Sequence, residues 1–126
     1  MLVNVLGTPY EIIIKKYYED EIFERKSIDG YCDGYQKKIV VCDMRTYKGW
    51  ENEEEKTIFL AQMHTIRHEI VHAFLNESGL MDCACTIDGA WAHNEELVDW
   101  IAVQGEKIHR AWMDAESACY GRKSNE

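Results

Sequence analysis

The segment His68-Glu69-Ile70-Val71-His72 spells H-E-x-x-H, a spacing that carries metal chemistry when it falls on a helix. Residues i and i+4 of an α-helix share one face, about 6 Å apart along the axis, so the two imidazoles can converge on one ion at about 2.0–2.1 Å from each nitrogen. Glu69, turned about 100° from His68, stands beside such an ion rather than on it. That offset suits a general base, because zinc acidifies water and polarises a carbonyl while a neighbouring carboxylate takes the proton. The motif alone is suggestive only. With 5 His in the chain, random order produces the pattern in roughly two chains per hundred.

A zinc ion that works as a catalyst typically has three protein ligands and an open position, so a third ligand must lie elsewhere. The extended form H-E-x-x-H-x-x-G-x-x-H is excluded, because Leu75 and Ser78 occupy the positions where it needs glycine and histidine. His64 lies one turn before His68 but about 12 Å along the axis from His72, too far for one ion to take all three comfortably. "HNEELVDW" is the better source: Glu95 opens a second helix and Asp99 follows one turn later on the same face. Glu95 would complete the donor set, and Asp99 would hydrogen-bond the far nitrogen of a ligand histidine and fix its tautomer. Glu96 competes with Glu95 if the helix is rotated by one residue, but only Glu95 has Asp99 at i+4. Ordinary helix-surface acids are the plainer alternative for the pair. His93 and Trp91 adjoin the third ligand. His93 is a candidate to line the site or donate to a developing oxyanion, or it simply meets solvent, and Trp91 either walls the pocket or packs in the core.

"HEIVH" followed by "NEELVD" resembles the gluzincin-type zinc metallopeptidases, in which H-E-x-x-H on one helix is completed by the Glu of an N-E-x-x-x-D segment on the next. The resemblance implies that His68, His72 and Glu95 hold one Zn2+, that Glu69 is the base and that Asp99 supports a ligand histidine; Asn94 matches the residue before the ligand. With "KKIVV", "RHEIVHAFLNESGL" and "NEELVDWIAVQ", the chain further resembles small single-domain zincins of phages and mobile elements. It is more loosely similar to the peptidase domains of repressor-cleaving ImmA/IrrE-type proteins. The likeness spans about residues 38 to 107. Larger gluzincins also carry a second domain and a downstream His or Tyr motif for the oxyanion, and neither is recognisable here. The resemblance implies hydrolysis of a peptide or protein substrate. Two rivals stand beside it: an inert zinc-binding module that holds a partner protein, and a metal-free domain.

These residues need two helices and a platform. Phe59, Met63, Ile66, Ile70 and Phe74 recur at steps of three and four, with Leu60, Val71 and Leu75 widening the stripe, which predicts a long, well-buried helix over 52–78 capped at Gly79. A second helix is predicted over 94–118, with Leu97, Ile101, Ile108 and Trp112 on one face and Val98 and Ala102 on the next. Trp100 and Trp112 are expected to pack the helices together. Residues 79–92 show no period and read as a loop. Ahead of the helices, "VNVLG", a turn at Gly7–Thr8–Pro9 and "YEIIIKKYY" predict two antiparallel strands. Turn residues at Asp29–Gly30 and Asp33–Gly34 precede a further strand at Ile39–Cys42. Ile39–Val41 is either core or an edge on which an extended peptide adds as a strand. The plan is α+β: one zincin-like domain over 1–126, with strands and a hairpin up to residue 50 forming a small antiparallel sheet on two long helices.

Composition narrows the classes. A chain of 126 residues with 46% hydrophobic residues buries a core without staples. A net charge of −9 argues against binding nucleic acid through its phosphates. No apolar run reaches the length of a bilayer span and no basic leader precedes one, so a cytoplasmic protein is expected. Five cysteines, an odd number, point to reduced thiols, and Cys83-x-Cys85 has no second pair to make a zinc ribbon. Nothing in the pattern sets an oligomeric state.

Overall fold

A computed structural model describes residues 1–83, 85, 86, 89, 90 and 94–116, with side chains placed for residues 1–81, 94–110 and Met113. The fold is α+β. β1 (Leu2–Val5) turns through Leu6 and Gly7 into β2 (Thr8–Lys15), an antiparallel hairpin in which Val5 pairs with Thr8. A 3-10 turn at Tyr17–Glu19 and the short helix α1 (Glu21–Arg25) follow. Asp20 starts α1 by accepting the Ile22 N–H, a capping role suited to a short acidic side chain. The chain then forms β3 (Gly30–Asp33) and returns as β4 (Lys38–Cys42).

The sheet order is β1-β2-β4-β3. β2 and β4 run parallel, whereas the β1–β2 and β3–β4 pairs are antiparallel. The sheet is therefore mixed rather than wholly antiparallel. The segment through α1 carries the chain past the place of β4, so β3 takes the outer edge and β4 inserts beside β2. A strand in that position is covered on both faces and needs a continuous apolar run, which Ile39, Val40, Val41 and Cys42 supply as four buried residues. Of the two readings of Ile39–Val41, core rather than a peptide-accepting edge is the one the structure bears out. The edge on that side is β3, a strand hidden in the sequence behind the turn signals of Asp29–Gly30 and Asp33–Gly34.

One face of the sheet, with Val5, Tyr10, Ile12, Ile39 and Val41, packs on Ala73, Ile66 and Ile70 of α2 (Glu55–Glu77). Phe23 of α1 packs with Val40 and Cys42 in a second cluster. The C-terminal end of α2 is pinned to the sheet by Glu77, whose carboxylate accepts hydrogen bonds from Thr8 (3.0 Å), Tyr10 (2.7 Å) and Lys37.

α2 is buried differently from the apolar stripe that predicts it. Its buried residues are Ile58, Thr65, Glu69, Ala73 and Leu75, while Phe59 is 61% and Phe74 39% exposed and Leu60 is exposed as well. The helix is turned so that two polar residues, Thr65 and Glu69, occupy the middle of its inner face. Gly79, at φ +85°, ends the helix in the left-handed region that glycine tolerates.

Residues 79–92 are not a plain loop: a helical turn, α3 (Leu80–Cys83), and a two-stranded ribbon of β5 (Cys85–Thr86) with β6 (Gly89–Ala90) lie within them. In α4 (Glu95–Glu116) the buried residues among those whose side chains are described are Val98 and Ala102, whereas Leu97, Ile101 and Ile108 are half-buried. The inward face is rotated by about one residue from the expected one. Val98 packs with Leu75, Val71 and Met81. Trp100, expected to pack the helices together, is 57% exposed, since it lies one residue beyond Asp99 and so about 100° round the helix from the residue that meets α2. The side chain of Trp112 lies outside the described residues. Among the described residues no helix is long and apolar enough to cross a membrane.

Candidate metal centre

α4 begins where α2 needs it. Asn94 accepts the Leu97 N–H at 2.9 Å, an N-cap that fixes the first turn and places Glu95 at its start. From there α4 lies along α2: Glu95 meets His72 and His68, Asp99 meets His68 and His64, and Arg67 pairs with Glu106.

Three donor atoms converge. His68 Nε2 and His72 Nε2 are 3.2 Å apart, Glu95 Oε2 lies 3.0 Å from the former and 3.4 Å from the latter. Atoms bound at about 2.0–2.1 Å around a tetrahedral ion lie about 3.3 Å from one another, so this triangle has the dimensions of three corners of such a shell. The donor chemistry agrees, since two imidazoles and a carboxylate form a set that zinc accepts. The glutamate that reaches the histidines is Glu95, in the register that Asp99 favours.

Asp99 settles the other side of His68. Its Oδ1 lies 2.6 Å from His68 Nδ1 and 3.0 Å from His64 Nε2. A carboxylate only accepts, so the neutral imidazole that suits Asp99 carries its proton on Nδ1, the tautomer that would turn the lone pair of Nε2 toward an ion between His72 and Glu95. Burial disfavours charge on His68, but the Asp99 hydrogen bond and the charges of Glu69, Asp99 and Glu95 outweigh it and raise the imidazole above its usual range. The pocket favours a cation. The His64 hydrogen bond, with His68 adding and burial opposing, holds the Asp99 carboxyl below the usual carboxylate range.

Glu69 is only 5% exposed, yet it borders the cleft beside the three donors, with Oε1 at 3.9 Å from His68 Nε2. Contacts between α2 and the sheet side hold its surroundings. Thr65, one turn earlier, has its hydroxyl 3.0 Å from Asp29 Oδ2, and Gly30 lets β3 lie directly against the helix. A Cβ at Gly30 would stand 3.2 Å from Glu69 Cγ and 3.1 Å from Thr65 Cγ2, closer than ordinary contact. Burial pushes the Glu69 carboxyl up to about 7; His68 opposes this, while Asp29 and Glu95 add to it.

The cleft has a volume of about 1060 Å3 and runs along β3 and the β3–β4 turn to His68, Glu69, His72 and Glu95, which leaves the donor triangle open to a ligand of appreciable size. Of the residues read as site candidates, His68, Glu69, His72, Glu95 and Asp99 are brought together, while Trp91 and His93 lie outside the described residues. Sequence patterns missed three participants. His64, set aside as a ligand, contacts Asp99. Asp29 and Gly30 looked like a turn, and the signal that they approach a helix lay only in the absence of a side chain at Gly30. No family model, curated protein or solved structure matches the chain. What the chain does must therefore be argued from the chemistry of this centre.

Proposed function

We propose that this chain is a zinc-dependent hydrolase of peptide bonds, a small metallopeptidase with one ion held by His68, His72 and Glu95. The observation that carries the proposal is the convergence of His68 Nε2, His72 Nε2 and Glu95 Oε2 at 3.2, 3.0 and 3.4 Å beside a buried carboxyl in an open cleft. Bound there, zinc would polarise the substrate carbonyl and acidify water.

The chain's own residues supply the rest. Glu69, buried beside the three donors, takes a proton from water at its carboxylate and returns it to the departing amine. Asp99 keeps His68 in the tautomer whose Nε2 is a donor. Gly30 and Thr65 keep Glu69 packed in place. β3 is a sheet edge that borders the cleft, so an extended peptide can add to it through backbone hydrogen bonds while its side chains reach the cleft. A protein or peptide substrate fits this arrangement.

The decisive variant is Glu69→Gln, which removes the base while keeping the shape. It should retain zinc and lose cleavage in a screen of denatured proteins and peptide pools, by at least about a hundredfold for loss of a general base. Equal cleavage by both proteins would remove Glu69 from the mechanism. Zinc bound with no cleavage by either protein would favour the inert module that holds a partner.

A further inference from the structure

We propose that His64 is a positioning residue of the metal centre: it holds Asp99 in the orientation in which Asp99 fixes the ligand His68. The proposal rests on the zinc site argued above.

Asp99 is about half exposed, with a side-chain exposure of 52%. An exposed carboxylate held by a single partner is readily drawn into water, and such contacts are individually weak. Asp99 has two partners on one oxygen. His64 Nε2 at 3.0 Å and His68 Nδ1 at 2.6 Å both meet Oδ1. His64 stands one turn before His68 on α2, and the two rings lie at a centroid distance of 6.4 Å with planes 29° apart, so their N–H groups reach the same point from neighbouring turns. Because Oδ1 only accepts, both nitrogens are donors. His64 thereby restricts the rotation of Asp99, and Asp99 in turn restricts the ring of His68 and leaves its Nε2 free for the ion. Partners of this outer kind contribute to metal affinity through the ligands they orient.

The alternative, that His64, Asp99 and His68 Nδ1 hold a second ion, fits the distances less well. A separation of 2.6 Å is that of a charge-assisted hydrogen bond, shorter than the spacing of about 3.3 Å between two donors around a tetrahedral ion.

Zinc affinity measured by competition with a chelator tests this on the full chain, with the urea stability of the zinc-free proteins measured alongside. His64→Ala should bind zinc about tenfold more weakly, and His64→Gln, which keeps an N–H donor, should stay within about threefold of the wild type. Unchanged affinity in His64→Ala overturns the proposal. So does equal weakening in both variants that follows a matching loss of zinc-free stability, since His64 would then only join the helices. A second equivalent of zinc in the wild type that disappears in His64→Ala would make His64 a ligand instead. A wild type that takes up no zinc refutes the metal centre itself, a failure distinct from that of His64 alone.

Discussion

Adding one methyl group at Gly30 tests the packing that places Glu69. An alanine Cβ there would lie 3.1 Å from Thr65 Cγ2, 3.2 Å from Glu69 Cγ and 3.2 Å from the Val40 carbonyl oxygen, where optimal carbon contacts begin at about 3.5 Å. The neighbours must give by roughly 0.3 Å. Val40 is held in the interior strand β4, where it pairs with Tyr31, so α2 and the Glu69 side chain take most of the displacement. Forcing a methyl into a packed site costs about 1–3 kcal/mol. The loss of glycine's freedom in the unfolded chain offsets about 0.4–1 kcal/mol of that. Gly30→Ala is therefore expected to be less stable by about 1–2 kcal/mol in urea unfolding of the zinc-free protein, and slower in turnover at unchanged zinc affinity. A variant as stable as the wild type and equally active would refute the reasoning, because it would mean that β3 does not hold the base.

Two further outcomes can be checked on the same material. Asp99→Asn should raise the zinc dissociation constant about 10–100-fold, read by chelator competition; an unchanged constant would show that His68 is oriented without Asp99. Asp20 gives the pH dependence of the fold. Burial pushes its carboxyl up, but the Tyr31 hydroxyl, the Ile22 N–H and Lys15 outweigh burial and hold it below the usual carboxylate range. A folded value below the unfolded one means that the stabilisation is present above about pH 4 and is lost as pH falls through the folded value. The urea midpoint of the wild type should fall in that acid range, and Asp20→Asn should flatten the fall; a variant with the wild-type acid profile would contradict this.

Much of the centre was legible because it is local. His68, Glu69 and His72 share one helix, and Glu95 and Asp99 share another, so the periodicity of the helix fixes which side chains stand together. Only the junction between the two helices had to be inferred, and the geometry puts Glu95 at His68 and His72. The hairpin of β1 and β2 was readable for the same reason. What escaped is non-local. The parallel pairing of β2 with β4 and the edge position of β3 depend on where the chain goes after α1, which no short pattern records. The apolar count on α2 pointed to Phe59 and Phe74, yet the buried middle of the helix is Thr65 and Glu69, which lie against Asp29 and Gly30 of the sheet side where a core residue would otherwise sit. His64 failed as a ligand on distance alone, and its contact with Asp99 became visible only once α4 lay beside α2.

The account stands most directly on zinc stoichiometry by elemental analysis and titration of the chelator-free protein. The expected result is one equivalent for the wild type and for Glu96→Gln, none for His72→Ala, and sharply weakened binding for Glu95→Gln. Less than about half an equivalent in the wild type with no uptake on addition, against the full site that three converged donors should hold, or retention of zinc by His72→Ala, would contradict it.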